Sequence, residues 1–375
     1  VSITRLPFED VFADESGGNI KTPQSEYQRE GQFPVVDQGK ALIAGYVDDE
    51  ARVCGGGRPA IVFGDHTRCV KYIGQPFCMG ADGVKVLRPK IDADLKYLYY
   101  YLKQLQLPDA GYDRHFKYLK RTEVVLLPLP EQRRIAAILD KAGALRTKRR
   151  EALTQLDRLS QSIFEEMFGD PASNPKGWPK VSVGQLLSEA DVFVDGDWVE
   201  SKDQDPDGEV RLVQLADVGD GFYANKSARF LNKPTALRLK CTPLKVGDLL
   251  IARMPDPLGR ACIFPGDAKE CVTVVDVCIV RPSVNGPDPV WLMCCINSFG
   301  FRNQIAGEAT GATRTRISRG NLSKLSIIVP PLASQQHFAR RYQSVLQLRQ
   351  HMQSAIEELD SLCASLQYRA FRGEL

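Results

Sequence analysis

The 375-residue sequence predicts an α+β protein of two globular heads, each followed by one long helix of coiled-coil type. Three observations carry this reading. A 41-residue segment, 128–168, recurs at 331–371 with a constant offset of 203 and no gap. Both copies have a proline-free interior with apolar residues in heptad spacing. The stretch before each copy is a series of short apolar runs cut by Gly and Pro, the pattern of strands and tight turns.

The repeat rests on twelve identities among the 41 positions: Pro128/Pro331, Leu129/Leu332, Gln132/Gln335, Ala136/Ala339, Leu145/Leu348, Arg146/Arg349, Ala152/Ala355, Leu156/Leu359, Asp157/Asp360, Leu159/Leu362, Ser162/Ser365 and Phe168/Phe371. In the first copy Ile135, Ala142, Arg149, Leu156 and Ile163 take the a positions, and Ile138, Leu145, Ala152, Leu159 and Glu166 the d positions. In the second, Phe338, Val345, Met352, Leu359 and Leu366 are a, and Arg341, Leu348, Ala355, Leu362 and Arg369 are d. Sustained a/d spacing predicts a coiled coil rather than an ordinary surface helix. The missing gap matters because one extra residue would turn the seam by about 100°.

Each helix is preceded by a predicted strand, Glu123–Leu127 and Ser326–Val329, and further upstream by a short apolar helix, Tyr97–Leu107 and Trp291–Phe301. Ala41–Val47, Ala60–Phe63, Asp248–Ala252 and Val272–Val280 read as strands. The predicted divisions are 1–127 for the first head, 128–169 for its helix, 170–330 for the second head after the breakers Gly169-Asp170-Pro171 and Asn174-Pro175-Lys176-Gly177, and 331–375 for the closing helix.

Composition narrows the class. Lys plus Arg outnumber Asp plus Glu by 49 to 46, so a nucleic-acid role must rest on local clusters rather than on net charge. Ten cysteines show no Cys-x-x-Cys pair, and none of the four histidines stands at zinc-ligand spacing from one. Cys262, Cys271 and Cys278 alternate with apolar residues, as buried thiols do. A reducing cytoplasmic setting without a structural metal is expected. The first ten residues do not read as a signal peptide, and no apolar run is long enough for a membrane span.

Pro128-Leu129-Pro130-Glu131-Gln132-Arg133-Arg134-Ile135-Ala136-Ala137-Ile138-Leu139-Asp140-Lys141-Ala142 resembles the central conserved region of type I restriction–modification specificity subunits. So does the helix exit Glu166-Met167-Phe168-Gly169-Asp170-Pro171. Within the heads, Gly64-Asp65-His66-Thr67-Arg68, Gly80-Ala81-Asp82-Gly83, Leu215-Ala216-Asp217-Val218-Gly219-Asp220-Gly221 and Gly247-Asp248-Leu249-Leu250-Ile251-Ala252-Arg253 look like recurring strings of that family's recognition domains. The resemblance implies two target recognition domains, each with a conserved helix, and antiparallel pairing of the two helices. It implies double-stranded DNA as target, methyltransferase subunits docked on the helices, and a separate motor–nuclease subunit. S-adenosylmethionine, ATP and Mg would then belong to those partners and none to this chain. The second helix departs from the pattern, with Ser334 where the first has Glu131 and Arg341 at an apolar d position. The two partner contacts are therefore expected to differ.

Candidate DNA contacts follow from the basic clusters. Arg314, Arg316, Arg319 and Lys324 lie in a Gly-rich stretch free of acids, suited to phosphates or guanine edges. Arg114, His115, Lys117 and Lys120 occupy the same place before the first long helix. Arg253 and Arg260 flank the rigid Pro255-Asp256-Pro257-Leu258-Gly259 loop, and Arg58, His66, Arg68 and Lys71 complete the set. Expected subunit-interface residues are Gln132, Ile135, Leu139, Leu145, Leu156, Leu159, Gln335, Phe338, Leu348, Leu359 and Leu362. Arg149, alone among charged a residues of the first copy, reads as snorkelling from the seam.

Catalytic signatures are thin. No Gly-x-x-x-x-Gly-Lys-Ser/Thr occurs, Asn174-Pro175-Lys176-Gly177 lacks a base-stacking aromatic, and Asp94-Leu95-Lys96 reads as a helix start capped by Asp92 or Asp94. A non-catalytic DNA reader is the expectation. A coiled-coil scaffold with protein-binding heads, and a specificity subunit of a different phage-defence methylase, stand as the alternatives. Two heads joined by helices of about 38 residues, roughly 57 Å at 1.5 Å per residue, would read a bipartite, asymmetric target with a fixed gap.

Overall fold

The computed structural model describes residues 3–108, 111, 113–255, 257–311, 315–372 and 374. The chain divides into two compact units, Val1–Glu151 with Gln353–Leu375, and Ala152–Met352. Each unit therefore contains one head and a part of both long helices.

In the first unit, β1 (Thr4–Pro7), α1 (Phe8–Val11), β2 (Phe12–Asp14), β3 (Phe33–Val36), β4 (Gly45–Val47), β5 (Ala60–Gly64), β6 (Val70–Ile73), β7 (Cys78–Met79) and β8 (Val84–Pro89) precede α2 (Leu95–Gln104), α3 (Phe116–Leu119) and β9 (Glu123–Leu126). The last leads into α4 (Leu129–Phe168). Three sheets result, ordered β2-β8-β5-β6, β4-β3-β7 and β1-β9. Every pairing is antiparallel except β3 with β7. Strand β5 is buried along its whole length, as suits the centre of a sheet covered on both faces.

Helix α2 lays Tyr97, Leu98, Tyr101 and Leu102 into the core. Asp94 caps it, accepting from the Tyr97 amide at 2.9 Å. The Tyr97 and Tyr101 hydroxyls donate to the carbonyls of Val125 and Glu123, so two buried phenols keep their bonds while their rings fill space. Phe371, from the second long helix's end, packs against both rings, tilted to Tyr97 at 5.2 Å and edge-on to Tyr101 at 5.3 Å between centroids.

The second unit repeats the plan. Its order is β10 (Lys180–Ser182), α5 (Val183–Leu186), β11 (Val192–Asp195), β12 (Val210–Val213), β13 (Phe230–Leu231), α6 (Lys233–Arg238), β14 (Leu249–Ala252), β15 (Ala261–Ile263), β16 (Glu270–Thr273), β17 (Val277–Arg281), α7 (Pro289–Asn297), α8 (Phe299–Gly307), α9 (Arg319–Lys324) and β18 (Ser326–Ile328), then α10 (Leu332–Ala370). The sheets are β11-β17-β14-β15, β13-β12-β16 and β10-β18, with β12–β16 the one parallel pair. Strand for strand this is the topology of the first head, although 1–110 and 178–300 share little sequence.

Some boundaries differ from the sequence reading. Of Ala41–Val47 only Gly45–Val47 pairs as a strand. Val272–Val280 splits into β16 and β17, which join different sheets around a turn at Val274. The single helix expected over Trp291–Phe301 breaks at Ser298, whose hydroxyl caps α8.

The helices pair antiparallel within each unit. In the first, the Arg149 guanidinium donates to the Ala355 carbonyl at 2.7 Å, and Arg146 and Arg150 both reach Asp360. As numbers fall along α4 they rise along α10. The seam is not the a/d stripe that the heptad predicts. Ile135 and Leu139 are buried, with Arg146 and Arg149 half-buried, so the inward residues are a and e. In α10 Phe338, Tyr342, Val345, Ile356, Cys363 and Ala370 follow the same phase. The d leucines face out: Leu145 and Leu362 are 42% and 54% exposed in the first unit, Leu159 and Leu348 42% and 50% in the second.

A buried glutamine ties each helix start to its head. The Gln132 oxygen accepts from the Asp94 amide and its nitrogen donates to the Leu127 carbonyl, at 2.8 and 2.7 Å. Gln335 does the same with the Asp288 amide and the Pro330 carbonyl, at 2.9 and 2.8 Å. Replacing either by alanine strands one buried carbonyl and one part-buried amide, and each is expected to cost about 1–3 kcal/mol. Denaturant unfolding of Gln132→Ala and Gln335→Ala checks this, and the two losses are expected to add because the residues lie in different units.

Among the described residues all ten cysteines are free and no cluster of three His, Cys, Asp or Glu side chains could hold a metal ion. Burial pushes the Cys262 and Cys278 thiols up to about 12. No helix among the described residues is long and apolar enough to cross a membrane.

Candidate nucleic-acid interface

In each head the same loops meet at the ends of the central strands. In the first these are the turn after β3 (Asp37–Lys40), the β5–β6 turn (Asp65–Cys69), the β7–β8 turn (Gly80–Gly83) and the segment leading into α3. The amide of Asp65 donates to the Gly83 carbonyl at 2.7 Å, and the His115 amide donates to the Asp65 carbonyl at 2.8 Å. The Asp65 carboxylate accepts from the Phe116 amide at 2.8 Å, fixing the start of α3. Gln38 joins the turn after β3 to this frame, its side-chain oxygen accepting from the His66 amide at 3.3 Å and its carbonyl from the Thr67 hydroxyl.

The second head reproduces the two main-chain bonds of this frame with another residue at the node. The amide of Arg253 donates to Asp276 at 2.9 Å, and the Ile317 amide donates to the Arg253 carbonyl at 3.1 Å. Closure of the strand turn also matches: the Arg68 amide donates to the Gly64 carbonyl and the Gly64 amide to the Cys69 carbonyl in one head, the Gly259 amide to the Ala252 carbonyl and the Ala252 amide to the Arg260 carbonyl in the other. At the matching left-handed position the first head uses Arg68, φ 60°, and the second Gly259, φ 80°. A non-glycine residue there carries strain, which glycine relieves in the longer second loop.

The predicted contacts divide. In the first head Arg58, Arg114, Lys117 and Lys120 lie exposed, with His66 and Arg68 half-buried on the β5–β6 turn. Several are held by acids: Arg58 by Glu15 at 3.2 Å, Lys117 by Asp113 at 2.6 Å and Lys120 by Glu9 at 3.1 Å. The Lys117 hydrogen bond holds Asp113 below the usual carboxylate range. Arg68 reaches the Pro108 carbonyl at 3.5 Å.

Two residues of this head are corrected. Lys71 is buried and donates to the Asp37 carbonyl at 2.7 Å, with Asp37 also its ion-pair partner. His115 is buried, its Nδ1 on the Asp65 carbonyl at 3.1 Å. Both hold loops together and neither faces solvent.

In the second head Arg316 and Lys324 are exposed and Arg319 is partly so, while Arg314 falls outside the described residues. Arg319 lies over the Phe193 ring, 5.6 Å from its centroid, donates to the Phe193 carbonyl at 3.1 Å and pairs with Asp195 at 3.6 Å. Arg253 and Arg260 are corrections. Both are buried, and loop carbonyls consume their donors. Arg253 donates to Ile317 and Val275 and pairs with Asp195 at 3.2 Å. Arg260 donates to Val218, Leu215, Met254 and Pro257, locking the β14–β15 turn to the loop after β12.

That last loop is organised on Asp217, fully buried and accepting from the amides of Gln214, Lys226 and Ser227 at 2.6–2.7 Å. It leaves Lys226 exposed beside them. Lys226 and Gln38 were not among the residues the sequence singled out, because neither stands in a basic cluster. Their signal is positional only, each following the strand of the three-stranded sheet that is paired on both sides.

The expected interface residues on the helices also divide. Gln132, Ile135, Leu139, Leu156, Gln335 and Phe338 are buried inside their own unit, a correction to their assignment as partner contacts. Leu359 is half-buried, while Leu145, Leu159, Leu348 and Leu362 are exposed.

Fold and site together define a two-headed protein whose heads share one loop frame and whose helices pair antiparallel. Residues 10–155 match the family model described as Type I restriction modification DNA specificity domain. The chain is 19% identical over 284 residues to the specificity subunit of the type I restriction enzyme EcoBI of Escherichia coli, covering 68% of this chain and 59% of that protein. It is 25% identical over 158 residues to the EcoR124I/EcoR124II specificity subunit of Escherichia coli, covering 39% of each. The match thus spans less than two thirds of either relative. Among solved structures, a type I restriction–modification system S subunit from M. genitalium superposes with TM-score 0.59 at 14% identity, covering 99% of this chain and 96% of that one. A chain from a study of complex assembly and conformational transition of the type I R-M system gives 0.58 at 18% identity, covering 97% and 98%. The chain is thus similar to type I restriction–modification specificity subunits in part of its sequence, and to the solved S subunit in fold.

Proposed function

We propose that this chain reads DNA sequence for a type I restriction–modification assembly, directing methyltransferase subunits and a motor–nuclease subunit to a bipartite, asymmetric target. The observation that carries the reading is the shared loop frame. Two heads hold the same loops with the same backbone bonds, yet set different side chains on them. His66, Arg68 and Arg114 stand on the first frame, and Lys226 and Arg316 on the second. Such a design keeps two docking geometries alike while allowing two unlike half-sites. The four outward leucines of the helix pair supply apolar surface for the methyltransferase subunits. No catalytic role is assigned to the chain, and S-adenosylmethionine, ATP and Mg are placed on the partners.

The test uses the chain assembled with the methyltransferase subunits of its own system. Affinity for duplex DNA should fall steeply with salt while one sequence remains preferred. Replacing residues 178–330 by the second head of another such subunit should change one half-site of the methylated sequence and leave the other intact. If both half-sites changed, the heads would not be independent readers. Binding without salt dependence or sequence preference would favour a protein-binding scaffold.

A further inference from the structure

We propose that Asp65 and Arg253 are equivalent positioning residues, one in each head, that set half-site discrimination by holding the strand-turn loop against the segment before the following short helix. The inference rests on the DNA-reading function proposed above.

The equivalence comes from four backbone hydrogen bonds. Each residue is the first after the central strand, β5 or β14. Each donates its amide to the turn before the neighbouring strand, Gly83 or Asp276, and accepts at its carbonyl from the segment ahead of α3 or α9, His115 or Ile317. The strand register agrees, with Gly64 opposite Val84 and Ala252 opposite Val277. Both residues are buried.

Their charges are opposite, and each finds partners of the right kind. The Asp65 carboxylate accepts from the Phe116 amide at 2.8 Å. The Arg253 guanidinium donates to the Ile317 carbonyl at 3.2 Å and to Val275, and pairs with Asp195. One node is thus tied through an acceptor and the other through donors, with the same segments joined. Asp65 thereby fixes the spacing between His66 and Arg68 on one loop and Arg114 on the other. Arg253 fixes the β14–β15 turn against the segment carrying Arg316. A reading side chain discriminates bases only while its loop is held, and one well-placed bidentate contact is worth roughly 1–3 kcal/mol, or about 5- to 150-fold.

The experiment compares Asp65→Ala, Asp65→Asn and Arg253→Met in the full chain assembled with its methyltransferase subunits, by scoring methylation against every single-base change in each half-site. Asp65→Ala should lower discrimination at the first half-site about tenfold or more and leave the second unchanged. Arg253→Met should do the reverse. Asp65→Asn should restore discrimination, because its amide oxygen can still accept from Phe116. Non-specific DNA affinity and its salt slope should stay as in the wild type, since neither residue reaches solvent. Unchanged discrimination in both Asp65→Ala and Arg253→Met would overturn the proposal. So would loss of the head's folded signal in thermal melting of Asp65→Asn, which would make the node a requirement for folding alone. If the wild-type assembly showed no sequence preference, the failure would lie with the DNA-reading function instead.

Discussion

Replacing Phe338 by alanine is expected to lower the stability of the second unit by about 3–5 kcal/mol, the range for removing a fully buried aromatic ring. Phe338 is inaccessible to solvent and lies where the two long helices meet the second head. Its ring is 5.5 Å from that of Phe164, 5.6 Å from Phe168 and 5.9 Å from Tyr342, two of the three in edge-on geometry. Phe168 in turn stands edge-on to Trp291 at 6.4 Å. Alanine removes the hub of this aromatic chain and leaves a cavity that four rigid side chains cannot close. Denaturant unfolding should show the loss, and Phe338→Leu should recover part of it. A loss under 1 kcal/mol would mean that the helices relax into the gap.

The second prediction concerns helix length. Both long helices continue from one unit into the other, after Glu151 and after Met352. Four residues inserted at both places keep the seam of each unit intact. They add about 6 Å to each helix and turn it by about 40°. A four-residue insertion is one a coiled coil absorbs by local unwinding. The same two half-sites should then be methylated with a gap longer by one or two base pairs, at about 3.4 Å per step. Two residues inserted at both places turn each helix by about 200°, and joint recognition of the half-sites should be abolished. Genome-wide mapping of methylated bases reads both outcomes. An unchanged gap in both variants would show that the helices do not set it.

How far the sequence reached can be judged from particular residues. The repeat, the continuous helices and an aspartate cap at Asp92 or Asp94, of which the structure uses Asp94, were legible because they depend on local spacing and on proline and cap chemistry. The phase of the seam was not. Both copies carry apolar residues at a, d and e, and periodicity cannot say whether Leu145 or Leu139 turns inward. The structure chooses Leu139, since it meets the core of the first head. The buried arginines were misread for a similar reason. Arg253 and Arg260 flank a Pro-Gly loop as exposed DNA contacts would, but their partners are carbonyls up to 64 residues away in sequence. Carbonyls belong to every residue, so they leave no mark on the sequence. The likeness of the heads was hidden in the same way, because it is written in main-chain bonds rather than in side chains.

The composition of the first unit has a consequence for the order of assembly during synthesis. The second unit is one uninterrupted stretch, Ala152–Met352, so its contacts can close while the chain is still being made. The first is split, and its last pieces, Gln353–Leu375, follow the whole of the second. Tyr97 and Tyr101 wait for Phe371, and Arg146 for Asp360, more than 200 residues downstream. Contacts of such long range are slow to form. The nascent chain therefore carries a head with an open apolar flank until Phe371 has been made, and a pause or nick before residue 353 leaves a finished second head and an unfinished first. A chaperone that shelters this protein is expected to be needed at the flank where Phe371 will finally dock.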